Sequence, residues 1–377
     1  MAKPLLFADH VAGLGGAEQS LLLLIKHLNP SRWHTHLACP PGTLAERATS
    51  LGASVHAHSF PRLRRNPSAF IAWIRHSLAL ARLARRVDAV VLITNTVRAT
   101  LYGALASRMA GVPLIWYMRD FWLSESRPQH AWADRALKRA LCRSARWVIA
   151  NSLATARHLP CTTNVRVIHN GIEVTRYMSQ ADAKSLRAAF GLPSDVLVIG
   201  MVGRLRPWKG QERFLRVLAQ VRQQRSDVYG LIVGGTPFNE GGDYPQRLRC
   251  LAEELGLTSY IVFTGHLDDV RPAIGAMDIF VHPGDPEPFG LVNIEAMAME
   301  KPVVAFAHGA LPEIVVEGAT GFLIEPTDEA AMAQTILRLL DDPGLRYALG
   351  QAGRARVEAQ FNASRVTAEF EAVLNAL

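Results

Sequence analysis

Short, continuous apolar runs alternate along this chain with helix-length segments, and this alternation restricts the fold more than any other feature. In the first half the runs fall at residues 5–8, 34–38, 54–57, 89–93, 114–118, 147–150 and 166–169, with helical stretches at 17–28, 67–86 and 100–110. A second series occupies 196–202, 229–233, 261–264, 279–282, 303–305 and 321–324, interleaved with helical stretches at 211–225, 245–255, 291–299 and 329–341. Strands buried on both faces lose their in-and-out alternation, so such runs indicate parallel sheets covered by helices on either side. At roughly 100–200 residues per domain, 377 residues predict an α/β chain of two Rossmann-like domains. The expected division is 1–178 and 179–361, because 175–182 is polar and patternless and GLPSD at 191–195 reads as a loop. A helical period over 362–377 follows the second series, leaving that segment free to return to the first domain.

Charge separates the two halves. Residues 1–178 hold 23 Lys/Arg against 8 Asp/Glu, whereas 179–377 hold 18 against 25, within an overall charge of +8. A basic half implies an anionic partner. Nucleic acid is the weaker choice, since zinc-finger spacing, an aromatic RNA-binding signature and a basic helix leading into heptads are all missing. That leaves a membrane surface or phosphorylated substrates. No apolar run approaches the roughly 18–20 residues of a membrane-spanning helix, and Asp9 and His10 interrupt the amino-terminal apolar stretch too early for a secretory signal. Cys39, Cys142, Cys161 and Cys250 stand far apart, which argues against a zinc ribbon or a disulfide and fits a reducing compartment. The expectation is a soluble cytoplasmic protein.

In an open α/β sheet, ligands bind beyond the carboxyl ends of the strands, and three motifs stand there. GLGGAE at 13–18 follows the first strand and opens a helix, where glycines allow close backbone approach and helix amides attract an anion. Its glycines do not match G-x-G-x-x-G, so a dinucleotide site is disfavoured and a tight turn stays an open alternative. VGRLRPWKGQE at 202–212 puts Arg204 and Lys209 on a loop before a helix, where two cations can meet one anionic group, or form only a solvated basic turn. DPEPFGLVNIEAMAMEKPVVA at 285–305 places Glu287 in a Pro/Gly turn and Glu295 about one turn inside a helix. An acid among Ile294, Ala296 and Met297 needs a partner, so here the functional reading leads.

Together, GGAE, HNGI at 169–172, GRLxxxKG at 203–210 and E-x7-E followed by KPVVA resemble the retaining GT-B glycosyltransferases of family 4. The resemblance spans both domains with the motifs in family order. It implies a GT-B fold, two Rossmann-like domains with parallel sheets facing across an interdomain cleft, and a nucleotide-diphosphate sugar bound mainly by the second domain. Arg204 and Lys209 match the cations on the donor diphosphate, which would stabilise charge growing on the leaving phosphate. Glu295 matches the acid that accepts from the ribose hydroxyls. Glu287 matches the acid beside the transferred sugar, and Phe289, Gly290 and Leu291 match backbone contacts there. Gly15 and Gly16 match a loop over the phosphates, and His266 in TGHL falls where the base is contacted. The resemblance further implies retention by attack on the face from which the phosphate departs, with no metal and no cofactor beyond the donor. Asp268 and Asp269 read as the opening of a helix.

One position departs from the family. Many members carry His-Asp after the strand that here reads PLIWYMRD, and this chain has Arg119-Asp120. An arginine stays protonated and cannot act as a general base near neutrality. Arg119 can bind donor or acceptor oxygens with Asp120 orienting it or the acceptor hydroxyl, or the two can form a structural ion pair. The segment 61–86 carries Arg62, Arg64, Arg65, Arg75, Arg82, Arg85 and Arg86 beside a stripe of Phe70, Trp73, Ile74 and Leu78. That pattern suits an anionic membrane interface and equally suits a core stripe with solvated arginines. The resulting expectation is a hexosyltransferase acting on a glycan or lipid-linked acceptor at the cytoplasmic membrane face. A GT-B nucleotide-sugar 2-epimerase and a non-catalytic sugar-nucleotide-binding subunit are the alternatives.

Overall fold

The computed structural model describes residues 2–63, 67–121, 131–177, 183–236 and 242–377. The expected boundary at 178/179 and the arginines at 64 and 65 lie outside these residues. The chain forms two compact units, one of Met1–Gly171 with Ala363–Leu377 and the other of Ile172–Asn362.

In the first unit, seven parallel strands are β1 (Lys3–Ala8), β2 (Trp33–Cys39), β3 (Ser54–Ala57), β4 (Val91–Thr94), β5 (Leu114–Met118), β6 (Trp147–Ala150) and β7 (Val165–Val167), in the order β3-β2-β1-β4-β5-β6-β7. Side chains of successive residues leave a strand on opposite faces, so β1 feeds two cores. Leu5 and Phe7 pack with α1 (Gly16–His27) and α2 (Thr43–Ser50), while Leu6 and Ala8 pack with α3 (Pro67–Arg86), α4 (Val97–Ala110) and α5 (Ala131–Ser144). Helix α6 (Leu153–Arg157) follows β6, its first turn capped by Ser152, whose Oγ accepts from Thr155 N at 2.9 Å. Apolar runs covered on both faces are what the uninterrupted hydrophobic strands require.

The second unit repeats the plan with β8 (Leu197–Val202), β9 (Val228–Val233), β10 (Ile261–Gly265), β11 (Ile279–His282), β12 (Val303–Phe306) and β13 (Gly321–Ile324), ordered β10-β9-β8-β11-β12-β13. One face carries α8 (Gln211–Gln224), α9 (Tyr244–Glu254) and α13 (Glu329–Asp341). The other carries α7 (Ala183–Ala189), α10 (Arg271–Ala276), α11 (Leu291–Ala298), α12 (Leu311–Ile314) and α14 (Pro343–Gln360). In each unit the strand order reverses beside the first strand, between β1 and β4 and between β8 and β11. In open α/β sheets ligands bind beyond the strands' carboxyl ends at such a reversal, which makes the loops after those four strands the candidate positions of each sheet.

The last helix, α15 (Ala363–Asn375), belongs to the first unit. Its Phe370 stacks on Phe7 and Tyr117 with ring centroids 6.2 and 6.1 Å apart.

One expectation needs correction, and one pair of alternatives is divided between them. The wide cysteine spacing predicts no disulfide, yet Cys142 of α5 and Cys161 before β7 are disulfide-bonded with Cα atoms 6.0 Å apart. The 19-residue separation contains β6 and α6, which carry the chain out and back to the same side of the sheet. The stripe on α3 is also divided. Trp73 turns inward and donates from Nε1 to Leu101 O at 2.9 Å, whereas Phe70 is 58% exposed and Ile74 is exposed as well. The face that α3 buries is Ser77, Leu80, Ala81, Leu83 and Ala84.

Candidate active site

In the second unit the candidate residues gather on the loops after β8 and β11. The loop after β8 turns once through a 3-10 helix, Pro207–Lys209, and enters α8 through Gly210. Gly210 has φ +82, and a Cβ there would lie 2.3 Å from Pro283 O, so the two loops approach closely only because no side chain intervenes. Asp285 N donates to Trp208 O at 2.7 Å and Arg213 Nη1 donates to Pro283 O at 3.0 Å, stapling the loops together.

This staple brings Lys209 onto Glu287 as an ion pair. Lys209 Nζ also lies 4.5 Å from the Trp208 ring centroid, a cation–π contact. Glu287 is buried. Burial pushes its carboxyl up, but Lys209, His282 and Arg204 outweigh this and hold it below the ordinary carboxylate value. A buried carboxylate fixed in its ionised form next to a lysine can meet partial positive charge on a sugar ring while the lysine meets a phosphate. Arg204 is on the same loop and solvent-exposed, its backbone held by Gln211 Nε2 donating to Arg204 O at 2.9 Å.

Gly290 stands in the left-handed region at φ +88 as the N-cap of α11, and a Cβ there would meet the Asn293 amide at 2.6 Å. Leu291 opens the helix, half-buried. The Phe289 ring is buried against Phe361, centroids 5.8 Å apart, which leaves its main chain as the part able to reach a ligand. Glu295 lies buried inside α11 and accepts from Tyr177 Oη at 3.1 Å. Burial, with Asp269 adding to it, pushes the Glu295 carboxyl up to about 7 against the Tyr177 hydrogen bond. His266, just beyond β10, is exposed and lies 3.4 Å from Asp268.

In the first unit Gly15 is the N-cap of α1, its N–H donating to Glu18 Oε2 at 2.8 Å, and Gly16 is the first helical residue. Arg119 follows β5 and is buried, while Asp120 is half-buried. The guanidinium lies over the Tyr117 ring, 3.6 Å from its centroid, donating from Nε to Asn95 Oδ1 and from Nη1 to Asn170 Oδ1, both at 2.6 Å.

Several residues at these sites are not singled out by the sequence. His282, buried at the end of β11, lies 3.8 Å from Glu287 and 3.2 Å from the Asn293 amide through Nδ1. Burial lowers its pKa to about 4, and both His282 Nε2 and Asn293 Oδ1 are buried without a hydrogen-bond partner. Tyr177 and Asn95 are others, and Asn170 enters the sequence reading only as part of HNGI, with no role of its own. The available signals were a histidine directly after an apolar strand and asparagines at strand ends, neither specific by itself. Among the described residues no group of three or more His, Cys, Asp or Glu could hold a metal ion.

Residues 14–176 match the family model described as Glycosyltransferase Family 4, and 182–356 match Glycosyl transferases group 1. The chain is 31% identical over 280 residues to a D-inositol 3-phosphate glycosyltransferase of Streptomyces scabiei, covering 68% of this chain and 61% of that protein. It is 34% identical to a GDP-mannose-dependent monoacylated alpha-(1-6)-phosphatidylinositol monomannoside mannosyltransferase of Corynebacterium glutamicum, covering 55% of this chain and 53% of that protein. The chain spans between 43 and 61% of the length of the first curated relatives it matches. Among solved structures, Anabaena Alr3699/HepE in complex with UDP and glucose is similar over 100% of both chains, with a TM-score of 0.86 and 27% identity.

Proposed function

Because the chain belongs to the GT-B-fold glycosyltransferases, related to those of family 4 and group 1, we propose that it transfers a hexose-type sugar from a nucleotide-diphosphate sugar to a hydroxyl of a glycan or lipid-linked acceptor, with retention. The observation that carries this reading is the Lys209–Glu287 pair at the crevice beside β8. The sugar C1–O bond to phosphate breaks, its electron pair leaving with the nucleotide diphosphate. The acceptor oxygen bonds C1 on the same face, and the acceptor proton passes to the departing phosphate. Arg204 and Lys209 stabilise the charge that grows on that phosphate, the task a metal performs elsewhere. Glu287 lies beside the sugar ring and Glu295 accepts from the ribose hydroxyls. Gly16 offers its amide to the phosphates beside Gly15, whose own N–H is taken by Glu18, His266 meets the base, and Arg119 and Asp120 bind substrate oxygens. The first unit is the acceptor side and the second the donor side.

The acceptor side has a surface suited to an anionic lipid face. Helices α3, α4 and α5 form one layer with four arginines in α3, two in α4 and four cations in α5 against the single acid Asp134. From α3 protrude Phe70, Ile71 and Ile74. Aromatic and aliphatic side chains standing out of a basic layer fit peripheral attachment to the cytoplasmic leaflet. No helix among the described residues is long and apolar enough to cross a membrane.

A panel of UDP-, GDP- and ADP-sugars, incubated with acceptor extracts and followed by nucleotide-diphosphate release, tests the activity. Release that depends on acceptor is the expected result. Interconversion of a UDP-sugar without acceptor would make the protein an epimerase, and donor binding without turnover a non-catalytic subunit.

A further inference from the structure

At the crevice between β1 and β4 the first unit holds a chain of buried polar groups. Asp9, fully buried after β1, accepts from Val11 N at 3.0 Å through Oδ1 and from Asn95 Nδ2 at 2.8 Å through Oδ2. Asn95, just after β4, also donates from Nδ2 to Ala17 O at 3.2 Å, and its Oδ1 accepts from Arg119 Nε. With Asn170 on Nη1 and Tyr117 beneath the plane, the guanidinium is held on three sides. Its Nη2 is buried with no hydrogen-bond partner. A charged donor left unpaired in the interior is costly, and a substrate oxygen would remove that cost.

We propose that Asp9 is a positioning residue for Arg119: it turns the Asn95 carboxamide so that its oxygen faces Arg119 Nε, which fixes the guanidinium and keeps Nη2 as the donor uncommitted to any protein acceptor. This rests on the proposed role of Arg119 at the substrate. The geometry asks for a carboxylate at position 9. Both of its oxygens face N–H donors, so an amide can serve only one of them, and a proton on either oxygen would point at a donor.

Protonation is therefore the event that releases the latch. Burial, reinforced by the Glu18 carboxylate from α1, pushes Asp9 up to about 7 against Asn95, Val11 and Arg119. Two further titratable groups near it are shifted away from neutrality. His10, 3.9 Å from Oδ1, is lowered to about 4, and the Cys39 thiol of β2 is pushed up to about 12. Above pH 7 the carboxylate holds Asn95, and as pH falls through 7 the hold is lost.

The test follows the Arg119 Nε–H resonance in protein labelled with 15N-arginine, assigned by its loss in Arg119→Lys. Wild type is expected to show a slowly exchanging signal at pH 8 that shifts with a midpoint near 7. Asp9→Asn should remove the inflection and speed exchange at least about tenfold, as a freed hydrogen bond does. Glu18→Gln should only move the midpoint down, since it takes away the neighbouring charge. An unchanged signal and titration in Asp9→Asn overturns the proposal, as does an inflection abolished by Glu18→Gln but kept in Asp9→Asn. Should Asp9→Asn not fold, the wild-type titration decides, and a flat response between pH 5.5 and 8.5 overturns it. In parallel, UDP release from UDP-glucose is measured for Asp9→Asn and Arg119→Ala. A loss of roughly tenfold to a hundredfold in both is expected for a misplaced substrate contact. Unchanged turnover in Arg119→Ala defeats the role of Arg119 at the substrate while leaving the resonance test of Asp9 intact.

Discussion

In the proposed mechanism the Lys209–Glu287 pair serves both stability and chemistry, and single and double variants separate the two. Removing one member of a buried pair leaves an uncompensated charge and costs about 3–5 kcal/mol, whereas neutralising both is far milder. Lys209→Met should thus lower both the unfolding free energy and turnover. Lys209→Met with Glu287→Gln should recover most of the stability and none of the turnover. Denaturant melts and donor turnover of the single and double variants check this, and an additive stability loss would deny the coupling. Glu295 supplies a pH prediction. Its carboxyl is pushed up to about 7 by burial, so it is ionised, as the proposed ribose contact requires, only above that pH. Donor affinity by calorimetry should weaken as pH falls from 8 to 6 in wild type. In Glu295→Gln it should be weak and flat. Neither effect is legible in the sequence, because Tyr177, which bonds Glu295, stands 118 positions away.

At the scale of elements, α3 and α5 carry the largest differences between pattern and placement. Helical spacing puts Phe70, Trp73 and Ile74 in one stripe, but packing on α4 rotates Trp73 inward and leaves Phe70 and Ile71 58% and 65% exposed. Exposed side chains lose little on truncation. Phe70→Ser with Ile71→Ser should leave the melting temperature nearly unchanged yet abolish cosedimentation with anionic vesicles, and equal binding of the variant would remove α3 from the membrane surface. Helix α5 is tied by the Cys142–Cys161 bond. In the chain-entropy account a loop of this length contributes about 3 kcal/mol. Reduction should therefore lower the unfolding free energy by up to that amount without unfolding the protein, read from paired melts with and without reductant.

Across the whole molecule, the chain enters the second unit at Ile172 and returns to the first at Ala363. The first unit's core is completed only by residues 363–377, which follow the whole second unit along the chain. Phe370 fills the space between Phe7 and Tyr117, while Glu371 accepts from Asn29 N at 2.9 Å. Phe370→Ala should cost about 3–5 kcal/mol, as a large ring removed from a packed core does. Hydrogen exchange should report the loss in β1 and β5 rather than in the second unit, and loss confined to β8 and β11 would contradict this packing.

The fold class was legible because a strand buried on both faces has no choice but continuous apolar residues, and two series of them make two parallel sheets. The candidate loops were legible too, since glycines, cations and acids at 13–18, 203–210 and 285–295 follow strands and open helices. What the sequence determined by itself was the local part: which segments are strands, and which polar residues lie at their carboxyl ends. Tertiary structure alone decided which of those residues meet. The Lys209–Glu287 pair, the Tyr177–Glu295 bond, the Asp9–Asn95–Arg119 chain and the Cys142–Cys161 bond each join segments 19 to 118 residues apart. Strand order and helix rotation set such pairings, and both are properties of packing that residue spacing does not encode.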